Sequence, residues 1–192
     1  MVKIRNPYAF IQMSWDPYLK SLLELKQSIQ NRDEMVSYVG NDPKRMAGLF
    51  ALFIDDTLHW RYNQRAAWPI GIIARKNPEL LKPFLPEMAE RLGSGRHDAV
   101  TRNIVRILED VDIPESLEGI VYDKCFRLLN DPDQAIAIRV FSMSVMFKIA
   151  RRYPEMLDEL ATCIRMYLPY GSAGFKNRGN KILTKIDKIL NH

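Results

Sequence analysis

Between Asp55 and Trp68 the chain reads DDTLHWRYNQRAAW, its densest supply of side chains able to do chemistry. Asp55, Asp56, His59, Trp60, Arg61, Arg65 and Trp68 all fall in this stretch. An aspartate–histidine pair can move a proton, and a tryptophan beside an arginine can stack on a base or hold an anion. These seven form a candidate ligand-binding cluster. No serine or cysteine nucleophile accompanies them, and no second histidine completes a metal set. The competing reading is structural: an inter-helix loop whose aspartates cap helices while Trp60 and Trp68 plug the core. Elsewhere the supply is thinner. His97 follows the glycines of LGSGRH as a loop residue, and His192 is terminal. Cys125 and Cys163 fit neither a metal spacing nor a disulfide framework, so buried core thiols are expected. On these grounds no catalytic group, metal or cofactor is expected.

The elements that must position these residues are helices. Apolar residues make up 47% of the 192 and charged ones 27%, a soluble globular composition. No apolar run reaches the roughly 18 residues a membrane span needs. MVKIRNPYAF has no apolar h-region, so no secretory signal and a cytoplasmic location are expected. Asp16-Pro17 and Asp42-Pro43 each read as an N-cap followed by a proline at the first helical position. The first of these is expected to run on through Ile29, and a short helix follows over 33–39, closed by Gly40. Further helices are expected near 60–76, 78–91, 97–110, 114–130, 133–152, 154–168 and 173–190. Alternation suited to a sheet is absent.

ARKNPELL at 74–81 returns as ARRYPEML at 150–157, with a looser copy around Pro114-Glu115. The three Pro-Glu pairs lie 36 and 40 residues apart. Arg65, Arg102, Arg139 and Arg178, each in a neighbouring helix, are spaced by 37, 37 and 39. Such a period marks stacked helix pairs that bury their apolar faces only against one another.

Leu128-Leu129, then Asp131-Pro132-Asp133, then Ile138-Arg139 resembles the HEAT repeat, and Asp98, Val100 and Arg102 match it more loosely. The resemblance covers about 43–190. It implies an all-α, right-handed α-α superhelix (a HEAT/armadillo-like solenoid) of about four helix pairs, with 1–42 as an irregular helical cap and 43–192 as repeats in a single domain. It also implies a ladder in which loop aspartates (Asp98, Asp131, Asp133) bond the arginines Arg65, Arg102, Arg139 and Arg178. Arg139 alone supports that idea, because it is the only charge between Gln134 and Phe147 on a helix apolar nearly all round. A buried guanidinium needs partners.

The chain also looks like a group of short bacterial HEAT-like proteins, some labelled adenylosuccinate lyase. Gly171, Ser172 and Lys176 echo that lyase loop, but its second serine and its Met-Pro are missing. With the Pro-Glu helices taken as the second, concave-lining helices, nine acidic residues there outnumber five basic ones. That places the positive charge, net +5 overall, on the outer helices. The reading is a non-enzymatic protein- or peptide-interaction module. A nucleic-acid-binding or DNA-alkylation-repair-like role is the alternative, with weak, non-specific affinity expected from the basic helices. Partner identity and oligomeric state are left open.

Overall fold

Ten α-helices and no strand occupy the described residues, 14–94 and 97–191, of the computed structural model. The all-α class expected from the sequence is what the structure shows. The chain divides into two compact units, Met1–Asp112 and Ile113–His192.

In the first unit, α1 (Pro17–Glu24) and α3 (Pro43–Ile54) start as the Asp-Pro signals predict. Asp16 accepts from the Leu19 amide, and Asp42 from those of Lys44 and Arg45. The expected run of α1 through Ile29 is not seen. Ser28 caps a new helix, α2 (Ile29–Val39), by accepting from the Asn31 amide, and the chain between them is extended at Leu25. Helix α3 is the core: Met46 through Ile54 are all buried. Close against its middle lies Asp16, whose Cβ and N would sit 2.7 and 3.0 Å from a Cβ placed on Gly48. Helix α4 (Trp60–Lys76) carries Pro69 and packs on α2, on α3 and on α6 (Asp98–Asp110). The short α5 (Leu85–Arg91) completes the unit.

In the second unit α7 (Glu115–Asn130) lies along α8 (Ile136–Ala150), which is also covered by α9 (Leu157–Tyr167) and α10 (Ala173–Leu190). A helix packed on three sides needs apolar residues all round, as α8 has.

The repeated Pro-Glu phrase has a local cause. Asn77 (φ −145°, ψ 80°) and Tyr153 (φ −133°, ψ 81°) share one backbone turn. Each precedes a 3-10 turn that proline opens, Pro78–Leu80 or Pro154–Met156. These two copies therefore lead into α5 and α9 through 3-10 turns rather than starting them directly. The looser copy differs, with Pro114 itself the N-cap of α7. In the second copy Arg152 and Tyr153 anchor a buried carboxylate: Tyr153 Oη donates to Glu118 at 2.7 Å and Arg152 donates to both Glu118 and the Ile113 carbonyl. Glu118 is only 3% exposed, and a carboxylate so placed persists because both oxygens are hydrogen-bonded.

Candidate functional site

Two arginines of the expected ladder, Arg65 and Arg139, are held by partners other than carboxylates. Arg139 donates from Nε to the Leu129 carbonyl at 2.9 Å, and its guanidinium lies 4.5 Å from the Tyr167 ring and 5.2 Å from that of Phe175. Arg65 donates to the Leu23 and Leu25 carbonyls at 2.6 and 2.8 Å. Arg178 donates to Ser144 Oγ at 2.5 Å. Asp131 accepts from the Asp133 amide and from Gln134, within its own loop, while Asp98 and Asp133 are exposed. Carboxylates therefore do not hold Arg65 and Arg139. Helix C-termini present carbonyls that lack intrahelical partners, and these two guanidiniums cap them. Asn63 does the same for α3, donating to the carbonyls of Phe53 at 2.8 Å and Asp55 at 3.1 Å.

The cluster around Asp55–Trp68 is likewise dispersed. Asp55 accepts from Thr57 Oγ1 at 2.6 Å, the Thr57 amide at 2.7 Å and Trp15 Nε1 at 3.0 Å. Burial alone would raise its pKa, but these hydrogen bonds outweigh it and hold the carboxyl below its ordinary 3.8. Asp56 pairs with Arg91 at 2.8 Å. His59 caps α4 by accepting from the Arg61 amide, and His97 caps α6 by accepting from that of Ala99. Trp60 stacks on His97, ring centroids 4.9 Å apart, with Arg61 over its other neighbourhood at 5.6 Å. Trp60 and Trp68 are half-buried wall residues rather than core plugs. His59, Arg61 and Arg65 line one shallow recess, and Trp68 lines another.

That second recess, about 400 Å³, opens between α4 and α6. Gln64, Trp68 and Arg75 come from α4, Arg102, Asn103 and Arg106 from α6, and Gln27 from the link between α1 and α2. Arg75 pairs with Asp110 at 2.6 Å across its edge, and Arg32 lies over the Trp68 ring at 4.6 Å. Among the described residues Arg102 and Arg106 have no hydrogen-bonding or ionic partner. Asn103 is 8% exposed, and its Nδ2 has no acceptor. The recess can therefore offer three unused donor side chains, two guanidiniums and one carboxamide, to an anion. It lies on two arginine-bearing helices, α4 and α6. The Asp131-Pro132-Asp133 loop joins α7 to α8, which makes the arginine-bearing helix the second of its hairpin.

Sequence reasoning singles out Trp68 and Arg102 and counts Arg75 and Arg106 only among the basic residues of the arginine-bearing helices, but it passes over Gln27, Gln64 and Asn103. The spacing gave no sign of Arg106, because Asp110 stands four residues on and suits an ordinary helix pair. In the structure Asp110 turns to Arg75 instead.

Both thiols are free and buried, a setting that disfavours the thiolate. Burial pushes Cys125 up to about 12 and raises Cys163 as well. Ser172, of the lyase-like loop, caps α10 by accepting from the Phe175 amide. Among the described residues no group of three or more His, Cys, Asp and Glu is placed to hold a metal, and no helix is long and apolar enough to cross a membrane.

Paired antiparallel helices, arginine-bearing helices stacked on one another within each unit, and a donor-lined recess between two of them define a helical-repeat scaffold. A profile of the HEAT repeat domain matches residues 19–186. The chain belongs to the HEAT-repeat family. No curated protein and no solved structure matches it significantly.

Proposed function

We propose that the chain is a non-enzymatic interaction module that docks a protein or peptide partner on the face formed by α4 and α6. One observation carries this reading. The recess there is lined by donors that the fold leaves unused, Arg102, Arg106 and Asn103. The buried Asn103 Nδ2, kept without an acceptor, is costly to the free protein, and a bound acceptor recovers that cost. The family supports a scaffold role, and the residues best suited to chemistry are spent on caps and ion pairs: Asp55, Asp56, His59 and His97.

A second reading, nucleic-acid binding, is favoured by the same guanidiniums beside Trp68. Affinity capture with the tagged full chain separates the two. The Arg102→Glu/Arg106→Glu variant should lose the captured protein, and nuclease treatment should leave the wild-type capture intact. Capture that nuclease abolishes supports the second reading. Capture that survives both treatments contradicts docking on this face.

A further inference from the structure

We infer that the recess between α4 and α6 is a binding site for a phosphate monoester. Its charge sets the ligand class. Arg75 and Asp110 neutralise each other at 2.6 Å, which leaves Arg102 and Arg106 as two uncompensated guanidiniums. They stand four residues apart on one helix face, where like charges repel. Asp98, one turn earlier, makes no ion pair with Arg102. A phosphate monoester carries about 1.5 to 2 negative charges at about pH 7, whereas a carboxylate or a phosphodiester carries one. Only the monoester matches the site charge for charge.

The second, independent observation is Asn103. This side chain lines the recess at 8% exposure, and its Nδ2 finds no acceptor in the folded chain. A buried donor without an acceptor is uncommon in a folded protein and points to something absent that accepts from it. A phosphoryl group has three acceptor oxygens, and guanidinium forks bind such oxygens with bidentate geometry. The volume adds a further constraint. About 400 Å³ exceeds what a phosphoryl group fills, so the space also takes part of whatever carries it, against Trp68 and Gln64. The carrier is a small phosphorylated molecule or a phosphorylated side chain of a peptide. The inference stands whether or not the partner of the scaffold is a protein.

Calorimetric titration of the full chain tests this with four probes: inorganic phosphate, a phosphoserine peptide, the same peptide unphosphorylated, and an octathymidylate without a terminal phosphate. Binding of phosphate and phosphopeptide is expected, each weakened about tenfold or more in Arg102→Gln/Arg106→Gln, as loss of two charge-assisted contacts requires. Asn103→Leu should also weaken both while leaving the fold intact. Lys44→Gln/Lys181→Gln removes the same charge elsewhere and should leave affinity within about twofold. If the double variant does not fold, the exposed Arg106→Gln alone is expected to weaken binding about threefold. Phosphopeptide bound about tenfold tighter than phosphate identifies a peptide carrier, and equal affinities identify a small molecule. The inference is overturned if neither phosphate at about 10 mM nor phosphopeptide at about 1 mM binds. It is equally overturned if the unphosphorylated peptide or the oligonucleotide binds as tightly as the phosphopeptide, or if folded Arg102 and Arg106 variants bind like wild type.

Discussion

Arg139 offers the sharpest test of how the repeats are held together, because its replacement separates two kinds of partner. Arg139→Met keeps most of the stem and removes the guanidinium. Lost with it are the bond to the Leu129 carbonyl and the contacts with the Tyr167 and Phe175 rings. A hydrogen bond from a charged donor contributes about 1.5–3 kcal/mol. The ring contacts add about 0.5–2 kcal/mol. Against these stands relief of Nη2, which is buried without an acceptor and whose orphaned state costs about 1–3 kcal/mol. The balance is a loss of about 1–2 kcal/mol for Arg139→Met, near the typical single-substitution effect. Arg139→Ala, which also opens a cavity, should cost about 3 kcal/mol. In thermal melts followed by circular dichroism, that larger loss is a shift of about 6–12 °C for a chain of this size. A loop-aspartate ladder, with its unpaired buried carboxylate, would instead put the loss at about 3–5 kcal/mol. Double-mutant cycles distinguish the two. Coupling of Arg139 to Tyr167 should be about 1 kcal/mol, and to Asp133 near zero. Coupling to Asp133 above about 1 kcal/mol would refute the carbonyl-capping reasoning.

Three further outcomes are expected. Asp55 has a depressed folded-state pKa, so its contribution is present above the ordinary 3.8 and lost as pH falls through the lower folded value; melting temperature should drop more steeply below about pH 4 in wild type than in Asp55→Asn. Cys125 is fully buried with its pKa pushed up to about 12, so a thiol reagent should label it only after denaturation, and labelling of the native protein would show that its cover opens. Gly48→Ala should cost about 1–2 kcal/mol despite the helix propensity it gains, because the new Cβ meets Asp16 at 2.7 Å; an unchanged urea midpoint would show that α1 can move aside.

Local chemistry made much of the fold legible. The starts of α1 and α3 were readable from Asp16-Pro17 and Asp42-Pro43 because caps and prolines act within one turn of themselves. The extent of α1 was misread because Leu19, Leu22 and Leu23 continue in helical spacing to Ile29, and only the Ser28 cap ends the run. Arginine positions were readable from their period, but their partners were not. A guanidinium chooses among carboxylates, carbonyls and rings in space, and the carbonyls at the ends of α1 and α7 carry no sequence signal. The recess was the least legible feature. Gln27, Trp68 and Arg106 meet there from three separate segments, and Asn103 looks like any polar helix residue until its burial is known.

Photo-crosslinking in the native lysate tests the central claim most directly. A photoreactive residue at Gln64, on the wall of the recess, is compared with one at the exposed Thr162 of α9. A protein adduct that forms from position 64, is absent from position 162 and disappears in the Arg102→Glu/Arg106→Glu background is the expected result. Adducts from position 162 alone, or from position 64 undiminished by the reversal, would contradict docking on the α4/α6 face.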